Sequence, residues 1–123
     1  MSVLDKKRRL TRADFDFDCR IEHDDSYINC KIINFSLTGF LILAEDPNFF
    51  EVGSKVSVFL DDLMDDSTSK VSCEIVRIEG KRLGLKFYAI DYDTLMKLKD
   101  LLAHLINDGA KVDNDLIRFL EGN

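Results

Sequence analysis

The sequence predicts a mainly β fold: about six short strands in an antiparallel arrangement, a six-stranded β-barrel or a sandwich, followed by a C-terminal α-helix and a short terminal helix. Three observations carry this. Apolar and polar residues alternate with a period of two in short segments from Phe15 to Tyr88. Turn-forming residues, such as His23-Asp24-Asp25-Ser26 and Glu79-Gly80-Lys81, separate those segments. After Asp91 the apolar spacing changes to three and four, the period of a helix. A closed barrel is also the arrangement of many short strands that leaves no edge exposed.

Phe15 to Glu22 opens the series, with Phe15, Phe17, Cys19 and Ile21 on one face and Asp16, Asp18, Arg20 and Glu22 on the other. Tyr27 to Ile33 forms the second strand of a hairpin, with Ile28, Cys30 and Ile32 in phase. Asn34 to Gly39 interrupts the pattern before Phe40 to Ala44 resumes it. A loop with Pro47 and Gly53 leads to Lys55–Asp61, where Val56, Val58 and Leu60 alternate. Asp61 to Ser69 is an acidic, exposed loop without calcium-loop spacing. The fifth strand, Lys70 to Ile78, slips in phase between Ile75 and Val76, which predicts a bulge or burial on both sides. Arg82 to Tyr88 is the sixth, through Leu83, Leu85 and Phe87. Leu95, Leu98, Leu102 and Leu105 then mark a helix that starts near Asp91 or Asp93 and stops at Asn107-Asp108-Gly109. A second helix runs from Asp113 to Leu120. The leucine stripe is expected to pack on the barrel, because a coiled-coil seam needs sustained heptads.

At 123 residues, 46% hydrophobic and 33% charged, the chain reads as one soluble domain with a real core. No run reaches the ~20 apolar residues of a membrane span, and no signal-peptide stretch opens the sequence. Cys19, Cys30 and Cys73 are odd in number and form no C-x-x-C pair. They predict neither a disulfide framework nor a zinc site, but buried thiols in a reducing cytoplasm.

Charge divides the chain sharply. Residues 5–12, Asp5-Lys6-Lys7-Arg8-Arg9-Leu10-Thr11-Arg12, carry five basic and one acidic residue, a net of +4. The remainder carries 12 basic and 22 acidic residues, a net of −10, which gives the overall −6. A flexible basic arm (1–14) on an acidic body (15–123) predicts an anionic partner taken up by the arm, and makes the body a poor nucleic-acid surface. Catalysis finds little support. His23 lies in a turn and His104 beside the leucine stripe, and no nucleophile, metal or dinucleotide motif accompanies them. An enzyme is not expected, and neither is a metal or a resident cofactor.

Binding chemistry is better represented. Arg8 and Arg12 are four apart with Arg9 between, so a turn or a wrapped arm brings two guanidiniums around one ligand. Guanidinium grips phosphate with paired donors and stacks on bases. Asn34 offers an amide donor and acceptor, Ser36 a hydroxyl, and Gly39 either positive φ or a close backbone approach. Taken singly, each has an ordinary explanation as a charged tail or a turn.

Together, Arg8-x-x-x-Arg12 and Asn34-x-Ser36-x-x-Gly39 resemble the two-part signature of PilZ domains, bacterial receptors for cyclic di-GMP. Arg82-Leu83-Gly84-Leu85-Lys86-Phe87 is similar to the last barrel strand of that family. The resemblance spans almost the whole chain. It implies that Arg8 and Arg12 hold phosphates and stack on guanines, that Asn34 and Ser36 bond the guanine edge, and that Gly39 lets the ligand approach. It also implies an accessory contact from Arg9 and a further stacking surface at Arg77. Asn34 stands where the family often has Asp, a position that accepts either. Lys7 holds the place before the first motif arginine, where a basic residue accompanies a stacked pair of ligands. The implied mechanism is a mobile arm ordered on the barrel by the ligand, signalling to a separate, unidentified protein in motility, pili, exopolysaccharide or virulence. Two other readings stay open: a PilZ-like module that binds only proteins, and a nucleic-acid or membrane-surface binder that works through the arm.

Overall fold

The computed structural model describes residues 11–61 and 68–121. Six strands follow in chain order: β1 (Ala13–His23), β2 (Ser26–Phe35), β3 (Gly39–Leu43), β4 (Lys55–Asp61), β5 (Thr68–Glu79) and β6 (Arg82–Ile90). Every pairing is antiparallel, and the order β1-β2-β3-β6-β5-β4 closes through β1–β4 into a barrel. Two helices come after it, α1 (Tyr92–Ile106) and α2 (Gly109–Leu120). The predicted fold class is therefore the observed one. The acidic stretch 62–67 lies outside the described residues.

The strands extend a little beyond the regions of clean alternation, and bulges explain why. Between Asp14 and Phe17 the β1–β2 register shifts by one residue, so Phe15 and Asp16 share the single position opposite Ile33. β1 thus opens at Ala13, before the alternation becomes regular. On β5 the register shifts between Ile75 and Arg77 against β6, which makes Val76 the extra residue. The predicted phase slip is this bulge. It leaves Val76 and Arg77 both facing outward, with Ile75 fully buried before them.

The barrel interior holds the residues the alternation selects: Ile21, Ile42, Val58, Leu60, Val71, Ile75 and Leu83 are all fully buried. Leu37, in the turn between β2 and β3, joins them with no exposed surface, so this turn is pinned into the core. Fully burying each such side chain contributes about 1.5–3 kcal/mol. Leu95, Leu98 and Leu102 of α1 are buried as the stripe required, whereas Leu105, its fourth member, is exposed near the helix end. Leu98 and Leu101 meet Phe35, Phe40 and Leu60, so α1 closes one end of the barrel instead of standing free.

Asp91 caps α1, accepting a bond from the Thr94 amide at 2.7 Å. That bond, with the Thr94 hydroxyl, holds the Asp91 carboxyl below its usual range. Asp91→Ala is expected to cost about 1 kcal/mol, read as a lower urea midpoint at neutral pH. The contribution is present above the ordinary carboxylate pKa and lost as pH falls below it, so the two proteins should converge in acid. At the other end Asn107 adopts a left-handed conformation (φ 54, ψ 41) and stops the helix. α2 then starts at Gly109, four residues before the Asp113 that the sequence suggested. The Asp108 side chain accepts from the Lys111 amide at 3.1 Å and serves as its cap, a role the turn-like run Asn107-Asp108-Gly109 conceals.

All three cysteines are buried free thiols. Burial pushes Cys30 up to about 11 and Cys73 up to about 12 from the ordinary 9.0. Cys19 is pushed higher still, by burial first and then by its neighbours Cys30, Asp18 and Cys73. Native thiols keep their protons where unfolded ones ionise. This contribution to stability is therefore present below pH 9 and is lost as pH rises toward 12. Urea midpoints should fall between about pH 8 and pH 10, and a variant with all three replaced by alanine should fall less steeply.

Candidate functional site

The site begins where the chain enters the barrel. β2 runs to Phe35 and β3 begins at Gly39, so only Ser36, Leu37 and Thr38 connect them. The Ser36 amide donates to the Gly39 carbonyl at 3.0 Å, and the Phe87 amide to the Thr38 carbonyl at 2.9 Å, which ties the turn to β6. Ser36 is buried. Its Oγ accepts from the Thr38 amide at 3.2 Å and lies 3.1 Å from Thr38 Oγ1.

Arg12 comes from the segment just before β1 and reaches this turn. Its Nε donates to Asn34 Oδ1 and its Nη1 to Ser36 Oγ at 3.5 Å. Residues 22 and 24 positions away in sequence are thus gathered around one guanidinium. Asn34 Nδ2 donates in turn to Asp14 Oδ1 at 3.0 Å. This contact gives a physical reason for asparagine at 34, because an aspartate there would set two carboxylates against each other. Asp14 had no signal in the sequence beyond being one acidic residue among 23.

Gly39 answers a steric need and not a conformational one, since it is absent from the glycines with positive φ. A Cβ there would lie 2.3 Å from the Leu85 carbonyl oxygen across the β3–β6 pairing. Gly84 faces no such obstruction: a Cβ on it would meet Arg77 Cβ at 3.4 Å and Nε at 3.6 Å, ordinary contact distances. Arg77 therefore lies across β6 at a glycine, and Nε pairs with Glu79 Oε1 at 2.7 Å.

These pieces line a cleft of about 250 Å³ formed by Arg12, Asn34, Phe40, Leu41, Val76, Arg77, Gly84 and Leu85. Two guanidiniums, an amide and the exposed face of Val76 share its walls. Arg77 thus joins Arg12 and Asn34, with the β5 bulge turning it outward. Lys7, Arg8 and Arg9 lie outside the described residues. A larger cavity of about 750 Å³ runs beside Asp16, Asp18 and Asp61, but its cations are already matched. Arg20 pairs with Asp61 at 3.2 Å, and Lys31 with Asp16 at 3.5 Å and Asp18 at 3.6 Å. That carboxylate-rich wall repels an anion, so size does not pick out the functional cleft.

The family model described as "PilZ domain" matches residues 6–104 of this chain, well over half of it. The chain belongs to the PilZ domain family. Among solved structures, this PilZ domain is similar to the PilZ domain with c-di-GMP of YcgR from Escherichia coli, with a TM-score of 0.65 and 18% identity, covering 82% of this chain and 92% of that one. It is also similar to the PilZ domain of CeSA from a cellulose-synthesizing bacterium, with a TM-score of 0.62, 12% identity and coverage of 77% and 97%. The Bacillus subtilis inhibitor of motility MotI/DgrA gives 0.62 and 16%, covering 92% of this chain. The present chain spans about half of that protein's length, 51%. No curated protein matches the sequence. Among the described residues of this PilZ domain, no helix is long and apolar enough to cross a membrane.

Proposed function

We propose that this PilZ domain is a cytoplasmic receptor and adaptor for cyclic di-GMP. The observation that carries the reading is the Arg12 guanidinium held on Asn34 and Ser36 at a cleft whose far side is Arg77. Two arginines across a small cleft suit a ligand with both phosphate charge and flat bases, since guanidinium serves each. Asn34 supplies donor and acceptor atoms for a guanine edge, and Val76 an apolar surface beside it. Arg8 and Arg9, with Lys7 ahead of them, bring the rest of the cationic charge as the arm closes over the bound ligand. With Lys7 in that position the domain takes two stacked ligand molecules. Ordering the arm changes the exposed surface, and a separate protein reads the change. Membership in the family and the fold shared with a PilZ domain described with c-di-GMP both support this reading.

Calorimetric titration of the chain with cyclic di-GMP, beside cyclic di-AMP as a control, tests it. Saturable heat for the guanine ligand alone, with two ligands per chain, is expected. Absence of binding, or equal binding of both dinucleotides, would rule out the guanine-reading cleft.

A further inference from the structure

α2 packs against α1, with Lys99 Nζ 3.2 Å from Asp113 Oδ1 between them. One residue of α2 reaches instead to the start of the barrel. Asp115 is 4% exposed, and its Oδ2 accepts a bond from the Thr11 amide at 2.7 Å across 104 residues of sequence. Its Oδ1 lies 3.5 Å from Arg118 Nη1 on the same helix. A buried carboxylate is costly unless its charge is met, and here a backbone donor and a guanidinium meet it. The Thr11 hydroxyl is buried with no hydrogen-bond partner among the described residues, so its amide does the holding.

Thr11 stands immediately before Arg12 and between the two motif arginines. We infer that Asp115 is a positioning residue for the ligand cleft: by clamping the Thr11 amide it fixes the entry of the arm and keeps Arg12 over Asn34 and Ser36. This rests on the reading of the cleft as the cyclic di-GMP site. Holding the backbone one residue from a ligand-binding guanidinium lowers the ordering cost of binding. The same bond makes α2 part of the site's equilibrium, because whatever orders the arm also favours docked α2, and the reverse.

The sign of the effect distinguishes positioning from simple charge. Removing a negative group near an anion site should tighten anion binding through Coulomb's law. Removing a clamp should weaken it. In the whole chain, Asp115→Ala is expected to raise the Kd for cyclic di-GMP about tenfold, in line with loss of a charge-assisted bond. Asp115→Asn keeps an acceptor oxygen and should recover most of that loss. Thr11→Pro deletes the donor and leaves Asp115 in place, so it should weaken binding as Asp115→Ala does. The double variant should be no worse than either single one. Glu121→Gln, which removes a charge from the exposed end of the same helix, should bind as wild type. Without ligand, the Thr11 amide should be protected from hydrogen exchange in the wild type and lose that protection in Asp115→Ala.

Wild-type binding that is unchanged or tighter in both Asp115→Ala and Thr11→Pro would overturn the positioning role and leave the receptor reading standing. A Thr11 amide that exchanges equally fast in wild type and Asp115→Ala would overturn the clamp itself. A wild type that binds no cyclic di-GMP would overturn the receptor reading and, with it, the role assigned to Asp115.

Discussion

Gly39→Ala is expected to destabilise the domain by about 3 kcal/mol, a large share of the stability of a small domain. The added methyl would lie 2.3 Å from the Leu85 carbonyl oxygen. That oxygen belongs to β6 backbone directly paired with β3, so it cannot swing aside as the tip of a side chain would. Relief requires β3 to part from β6. Phe40 and Ile42, 2% and 0% exposed, sit on β3, and any movement of the strand disturbs the core they fill. Gly84→Ala makes the contrast. Its nearest neighbours are Arg77 side-chain atoms at 3.4 Å and beyond, ordinary contact distances, so stability should change little. Urea unfolding of both variants checks the pair. A Gly39→Ala protein within about 0.5 kcal/mol of wild type would contradict the close-approach account.

Arg12→Ala is expected to weaken cyclic di-GMP binding about a hundredfold while leaving the fold intact. Hydrogen bonds to a charged group contribute about 1.5–3 kcal/mol each, and the proposed role of Arg12 includes stacking as well. Arg12 itself is exposed, so little core packing goes with it. Arg12→Lys keeps the charge but not the planar, forked donor set, and should recover only a small part of the loss. Calorimetry gives the affinities and urea midpoints report the fold. An Arg12→Lys protein that binds as wild type would mean that charge alone suffices and that the guanidinium geometry is not used.

The strands were legible because burial of one face imposes a period of two that survives in a single sequence, whereas the choice of a barrel over a sandwich depends on the β1–β4 pairing, which no local pattern records. The slip at Val76 was legible for the same reason: an inserted residue breaks that period. α2 began earlier than its apolar pattern implied, because its start is set by the Asp108 side chain and not by hydrophobic spacing. Arg12, Asn34 and Ser36 were visible as a spaced motif, and the structure brings them into hydrogen-bonding contact. Asp14 and Asp115 were not visible. Each is a single carboxylate in an acid-rich chain, and each matters through a partner distant in sequence: Asn34 is 20 residues from Asp14, and Thr11 is 104 from Asp115. Local pattern records burial and turns well, but it does not record which polar atom meets which across the fold. Gly39 was read with two alternatives open, and only the position of β6 chooses between them.

The most direct test of the central claim is to follow the backbone amide resonances of the isotope-labelled chain as cyclic di-GMP is added. Shifts are expected to concentrate at Arg12, Asn34, Val76, Arg77 and Gly84, which line the two-arginine cleft, and at Ser36, to which Arg12 is bonded. Shifts confined to the acidic cavity around Asp16, Asp18 and Asp61, or no shifts at saturating ligand, would contradict it.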